Sequence, residues 1–276
     1  MARKLRVAAV QLRSTPDAAA NRAEAAPFIR EAASAGARFV ATPENTGRLD
    51  RDRPRLLDNL AKADLVAEER SWGRLAEEHG VWLLVGSVAI PAGPGKVYNR
   101  SLFFSPAGKR VATYDKIHMF DVDLGAGETY RESSGVEAGR QAVVVEGPMG
   151  AKIGLTICYD LRFAELYRKL ARAGAEILTI PAAFTVPTGQ AHWETLIRAR
   201  AIETGCFVIA PAQGGLHADG RSTWGHSVIV GPWGEIVGKL DHDEPGLLVA
   251  DLDLDKVAET RAKVPAWTTD ADFAGP

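Results

Sequence analysis

Three residues of different chemistry stand where apolar runs give way to loops or turns. Glu44 follows FVATP, Lys116 follows VATYD and Cys158 follows GLTI. A free thiol titrates near about pH 8.5, so little of it is thiolate at neutral pH. A lysine ammonium beside it favours the thiolate. A carboxylate can take the thiol's proton and return it to a leaving group. The lysine N–H can also stabilise an oxyanion. Placement adds to this chemistry. Cys158 lies between an apolar strand-like run and a helical pattern, Ala164 to Leu170. Asp160 suits the N-cap of that helix, whose amides would point toward the thiol. The logic is that of a nucleophile elbow with sulfur in place of oxygen. A bland reading stands beside it. A cysteine at a strand end is more often a packed small residue, and a lone glutamate or lysine there is usually just solvated. Spacing alone does not bring residues 44, 116 and 158 together.

The elements that must position these residues follow from periodicity and punctuation. Strands are predicted over Leu5–Leu12, Arg38–Thr42 and Val81–Ala89, with helices over Ala18–Ala35, closed by Gly36, and Leu56–His79, closed by Gly80. Val97–Ser105 and Lys109–Tyr114 read as a hairpin around Pro106-Ala107-Gly108. A polar loop from Lys116 to Gly139 is longer than loops usually are without a function. Beyond it come strands Ala142–Glu146 and Lys152–Ile157, helix Leu161–Ala173, strand Ala175–Ile180, helix Gln190–Glu203 and strand Cys206–Ala210. Strands near Ser227–Val230, Ile236–Lys239 and Gly246–Asp251 precede a short helix after Asp253 and a tail from about Val264. Alternating strands and helices predict an α/β fold with sheets covered by helices. No repeat, low-complexity segment or linker divides residues 1–276, so one domain is expected.

Composition narrows the partners. A net charge of −2 gives no argument for nucleic acid or an anionic membrane. The cluster of Arg48, Arg51, Arg53 and Arg55 is diluted by Asp50, Asp52 and Asp58 and reads as a solvated face. The two cysteines, Cys158 and Cys206, make no disulfide framework, and Cys206 in CFVIA reads as an inert core thiol. No apolar run reaches about 18 residues, and the basic N-terminus is too short for a signal peptide, which makes the reducing cytoplasm the default compartment. His118, His192 and His226 lack metal-ligand spacing, and no P-loop or GxGxxG pattern follows a strand, so no metal and no cofactor is expected. His192, Trp193 and Glu194 read as buttresses of their helix, Arg198, Arg200 and Glu203 as an ionic face, and Trp224 and Trp233 as packing aromatics. Arg162, four residues past the cysteine, could meet an acidic substrate or tie down Asp160.

Several ordered segments carry a resemblance: VAAVQL (7–12), FVATPEN (39–45), YDKIHMFDV (114–122), GLTICYDLRFAELYR (154–168), AAFTVPTGQAHWETLIRARAIET (182–204) and WGHSVIVGPWGEIV (224–237). Together they resemble the nitrilase superfamily of carbon–nitrogen hydrolases over about residues 5 to 265. The resemblance implies a four-layer αββα sandwich, pairing of subunits through helical faces into a homodimer or higher oligomer, and a Glu-Lys-Cys catalytic set. Glu44 would then be general base and acid, Lys116 the oxyanion and positioning residue, and Cys158 the nucleophile. A second glutamate after the lysine is also a family feature. Glu132 in YRESSG matches it, with Glu128 and Glu137 as neighbours. The backbone N–H of Tyr159 would complete the oxyanion site, and Tyr159, Arg162, Ala183, Phe184 and Thr188 would bind substrate. Within the superfamily the wording looks most like amidases acting on deaminated glutathione, and next like omega-amidases acting on α-ketoglutaramate. The implied reaction converts the primary amide of a small carboxylate metabolite to acid and ammonia through a thioester. A carbamoylase, a nitrilase and a non-catalytic binding protein are the rivals.

Overall fold

A computed structural model describes residues 3–125, 129–272 and 274–275. The first part of the chain runs β1 (Lys4–Gln11), α1 (Ala18–Ser34), β2 (Phe39–Ala41), α2 (Arg53–Lys62), α3 (Leu65–His79), β3 (Trp82–Gly93), β4 (Lys96–Phe104) and β5 (Arg110–Asp115). A two-stranded ribbon, β6 (Asp121–Asp123) with β7 (Thr129–Arg131), leads into the second part. There follow β8 (Val143–Glu146), β9 (Lys152–Leu155), α4 (Ala164–Arg172), β10 (Ile177–Thr179), α5 (Val186–Thr204) and β11 (Phe207–Ala210). A second ribbon, β12 (Gly214–Leu216) with β13 (Ser222–Trp224), precedes β14 (Val228–Val230), β15 (Ile236–Lys239), β16 (Gly246–Asp253) and α6 (Asp255–Lys263).

Two six-stranded mixed sheets result, in the orders β16-β1-β2-β3-β4-β5 and β15-β14-β11-β10-β9-β8. Each has a parallel centre, β1-β2-β3 in one and β9-β10-β11 in the other, where helices make the crossovers. Side chains alternate faces along each strand. Leu5, Val7, Ala9, Phe39, Leu84 and Phe103 of the first sheet share a buried cluster with Ile153, Leu155 and Ile177 of the second. Their neighbours Ala8, Val10, Val40, Leu83 and Phe104 face the other way and pack with Ile29, Trp72 and Ala76 of α1 and α3. Leu166, Tyr167 and Leu170 of α4 and Trp193, Ile197 and Ala201 of α5 join the cluster of the second sheet. The layering is therefore helix, sheet, sheet, helix.

Several boundaries differ from expectation, each for a local reason. The single helix expected over Leu56–His79 is two. Ala63 turns extended at ψ 142° and the Asp64 side chain accepts from Ala67 N at 3.0 Å, which starts α3 anew. The helix expected from Leu161 begins at Ala164, because Cys158–Arg162 forms a tighter 3₁₀ turn. Asp160 does not cap α4; it lies inside that turn, and Phe163 occupies the cap position without a side-chain bond. Helix α5 begins at Val186, four residues early, because Pro187 tolerates a first-turn position where its missing N–H costs nothing. The tail after Val264 is tied back: Arg168 and Arg172 both pair with Asp270, and Trp267 lies under Arg261 at 4.4 Å. Trp233 is no core aromatic, being 59% exposed.

Candidate active site

Glu44, Lys116 and Cys158 meet where the ends of the two sheets face each other. Glu44 leaves β2 through Thr42-Pro43, a segment laid against β3. Gly86 N donates to Thr42 Oγ1 at 3.0 Å and Asn45 N to Ser87 Oγ at 2.7 Å. Gly86 permits this approach, since a Cβ there would fall on the carbonyl oxygens of Thr42 and Pro43. Lys116 leaves β5, its backbone N–H bonded to Asn99 O at 3.0 Å. Cys158 begins the 3₁₀ turn after β9 with φ 51°, left-handed for a non-glycine residue. Such strain collects at functional corners, and here it turns the thiol out of the strand line.

Asp160 locks this corner to the lysine segment. Its carboxylate is fully buried and accepts from Tyr114 Oη (2.7 Å), Ile157 N (2.9 Å) and His118 N (3.0 Å), with His118 Nδ1 at 2.7 Å. The residues flanking Lys116 and those flanking Cys158 thus share one anchor. His118 also stacks on Phe163 at 3.7 Å.

Lys116 Nζ reaches Glu44 Oε1 at 3.1 Å and both oxygens of Glu132 at 2.8 and 2.9 Å. Glu132 is fixed in turn by Phe120 N at 2.6 Å. Of the other loop glutamates, Glu137 pairs instead with Lys96 at 2.9 Å, and Glu128 lies outside the described residues. Among its described residues, the polar loop expected over Lys116 to Gly139 holds a ribbon and a short turn that bring Glu132 back to the lysine. Glu44 also accepts from Asn99 Nδ2 (2.8 Å) and Ala183 N (2.9 Å), and its backbone carbonyl accepts from Gln213 Nε2 (2.9 Å). Glu44 and Lys116 are 3% and 2% exposed.

Charge here acts against the expected thiolate. Burial pushes the Cys158 thiol well above its usual range, the negative charge of Glu44 pushes it further, and Lys116 opposes both without prevailing. The lysine has two carboxylates to answer. Burial works against its charge, but Glu132 first, then Glu44, hold the ammonium well above its ordinary range. The resting thiol is therefore held in its neutral form, with Glu44 and Lys116 beside it in the same cleft.

A cleft of about 690 Å³ opens on these groups, and Tyr159, Ala183, Phe184 and Thr188 are among the residues that line it. Arg162 stands behind that lining. It neither lines the cleft nor ties down Asp160. Its guanidinium lies over the rings of Tyr159 (5.7 Å) and Phe184 (5.6 Å) and approaches His192 Nδ1 at 3.3 Å. Trp193 Nε1 donates to His226 O at 2.8 Å, and Arg200 pairs with Glu203 at 3.0 Å, both in structural roles. Arg48, Asp50, Arg51 and Arg53, expected as a solvated face, line the cleft. Asn99 was missed altogether, because among the polar residues Lys96, Arg100 and Ser101 of β4 nothing in the sequence singles it out.

A two-sheet sandwich with a thiol at the meeting of its sheet ends marks a class, the sandwich-fold hydrolases that act on carbon–nitrogen bonds. The chain belongs to the carbon–nitrogen hydrolase family, whose model matches residues 6–262, and it is an amidase of the nitrilase superfamily. It is 40% identical over 262 residues to a deaminated glutathione amidase from Synechocystis sp., covering 94% of this chain and 95% of that protein. In structure it resembles the NitFhit protein of C. elegans, with a TM-score of 0.89 and 33% identity over 97% of this chain and 65% of that one. It also resembles an amidase from Nesterenkonia sp. AN1 carrying acrylamide added at its active-site cysteine, with a TM-score of 0.77 and 26% identity over 95% of this chain and 98% of that one. No helix among the described residues is long and apolar enough to cross a membrane.

Proposed function

We propose that this amidase is of the deaminated-glutathione type, with Cys158 as nucleophile and Glu44, Lys116 and Glu132 as its catalytic partners. The carrying observation is that Lys116 Nζ lies 3.1 Å from Glu44 and 2.8 Å from Glu132, while Cys158 lines the same cleft as all three. Because the resting thiol is neutral, Glu44 takes its proton as the sulfur attacks the amide carbonyl. Lys116 and the Tyr159 N–H, which lies in the first turn where amides lack an intrahelical acceptor, hold the oxyanion. Glu132 orients Lys116. Glu44 then protonates the departing nitrogen, and a thioester remains. Water activated by Glu44 hydrolyses it to the acid. The leaving group needs one refinement. Ammonia suits a primary amide such as α-ketoglutaramate, whereas both amide bonds of a glutathione skeleton are secondary and release an amine. The same proton from Glu44 serves either. Tyr159, Ala183, Phe184 and Thr188 contact the acyl chain, and Arg162 holds the two rings in place. A reducing cytoplasm suits the free thiol, and by the family resemblance two copies pair through their helical faces.

The test is product analysis on deaminated glutathione, α-ketoglutaramate, an N-carbamoyl amino acid and a simple nitrile. Cys158→Ala and Glu44→Gln should each lower turnover at least about a thousandfold while far-UV circular dichroism is unchanged. Preferred cleavage of the nitrile or the carbamoyl compound would overturn the branch. Turnover retained by Cys158→Ala would overturn the nucleophile.

A further inference from the structure

Besides Glu44, Lys116 and Glu132, the lining of the cleft carries five arginines and one aspartate, in a chain whose net charge is −2. Pairing within the protein accounts for most of them. Arg48 is paired with Glu68, Asp50 with Arg55, and Arg221 with Asp219. Arg131 donates to the carbonyls of Val122 and Tyr130 and feels Asp121. Two are left over. Arg51 makes no side-chain hydrogen bond or ion pair among the described residues. Arg53 Nη2 donates to Gly95 O at 2.6 Å and to Gly135 O, and no carboxylate among the described residues pairs with it. Its guanidinium is seated against Gly135, where a Cβ would collide with it. Burial pulls the Arg53 charge below its usual range with no acid to offset the loss of water. A half-sheltered guanidinium without an anion is costly unless an anion arrives, and its planar fork matches a carboxylate.

We propose that Arg51 and Arg53 form an anion-binding pole of the cleft that takes a carboxylate of the substrate, so that the enzyme selects amides carrying a carboxylate away from the scissile bond. The proposal rests on the amidase reading above and names the feature by which that site chooses among amides. The carboxylate can belong to the acyl part or to the leaving group, and the probes separate the two. Deaminated glutathione carries one on each side. Its glycine methyl ester and α-ketoglutaramate keep only the acyl-side one. Butyramide has neither.

The experiment compares the wild type with the Arg51→Met/Arg53→Met double variant and with Arg53→Lys on these four amides. For the double variant the ratio of kcat/KM on deaminated glutathione to that on butyramide should fall about tenfold to a hundredfold, mainly through KM. Arg53→Lys, keeping the charge without the fork, should fall less. A fall that persists with the ester and with α-ketoglutaramate assigns the acyl-side carboxylate; one confined to the free acid assigns the leaving-group side. Arg53 also grips Gly135, which follows the Glu132 turn, so a purely structural role would slow all four amides alike and leave the ratio unmoved. That result would overturn the proposal. Glutarate binding is measured in parallel by calorimetry and needs no turnover. Were the wild type to cleave none of the amides, the amidase reading would fall alone. Weaker glutarate binding by the double variant would still support the arginine pole, and equal or absent binding would sink it.

Discussion

At Cys158 three influences compete: burial and the charge of Glu44 hold the proton on sulfur, and Lys116 draws it off. The lysine loses because burial, the largest of the three, and the Glu44 charge act together against it, while its own charge is answered by Glu132 and Glu44. A consequence for stability follows. The thiol's folded-state pKa lies well above its unfolded value of about 8.5, so above that pH the unfolded chain gives up a proton that the native chain keeps. The contribution is present in full below the ordinary thiol range and is lost as pH climbs from there toward the folded-state value. Urea unfolding of the wild type should therefore lose about 1.4 kcal/mol more per pH unit above about pH 8.5 than that of Cys158→Ala. Cys206, also raised by burial, contributes equally to both proteins and cancels. Parallel slopes would mean that the resting thiol is not held neutral. Nothing in the letters around Cys158 foretells this. A lysine at a strand end is visible in sequence, but the second carboxylate that neutralises it comes from a loop whose path is not.

Three elements carry the site, and each is fixed by something other than its own propensity. The β2 exit that bears Glu44 lies on β3 because Gly86 leaves room for it and Ser87 receives the Asn45 N–H. Gly86→Ala should push that exit away, costing about 1–3 kcal/mol of stability and lowering kcat/KM about tenfold or more. Denaturant unfolding and single-substrate kinetics measure both; a destabilised variant with wild-type kcat/KM would show that Glu44 is held from elsewhere. The strand ends at Glu44, Lys116 and Cys158 were legible because apolar runs stop there. The contact of one strand end with another strand's glycine was not, since it depends on register. The arginine cluster misled for a related reason. Alternating charges along Arg48 to Asp58 look solvated, yet Asp50 turns its carboxylate to Arg55 and the Asp52 N–H, while Arg51 and Arg53 line the cleft. Helix Leu56–His79 looked continuous because its apolar period runs through the break, and only the Asp64 cap divides it.

On the scale of the whole molecule the site belongs to neither sheet. Glu44, Asn99 and Lys116 come from strands of the first sheet or their ends, Cys158 and Ala183 from the ends of the second, and the two sets meet only because the sheets are stacked. Alternation of strands and helices makes an α/β fold legible, but it does not say that the strands divide into two stacked sheets or that β16 returns to pair with β1; that layering came from the family resemblance. If stacking sets the site, a defect between the sheets should reach catalysis and one on the outer face should not. Phe103 and Phe104 are adjacent on β4 and point to opposite sides. Phe103 lies between the sheets, edge-on to Phe39 at 5.7 Å and stacked on Trp82 at 5.4 Å. Phe104 faces α1 and α3. Phe103→Leu and Phe104→Leu should each cost about 1–2 kcal/mol, as the same apolar volume is lost from a packed core. Assayed well below both unfolding midpoints, only Phe103→Leu should lower kcat, because only its cavity lets one sheet settle against the other and shift Glu44 relative to Cys158. Displacements of about 1 Å at reacting groups can cost on the order of a hundredfold in rate, so a small settling is readable. Equal kcat values for the two variants would mean that the shared anchors, Asp160 beneath and Ala183 N on Glu44, hold the catalytic groups in register without help from the core between the sheets.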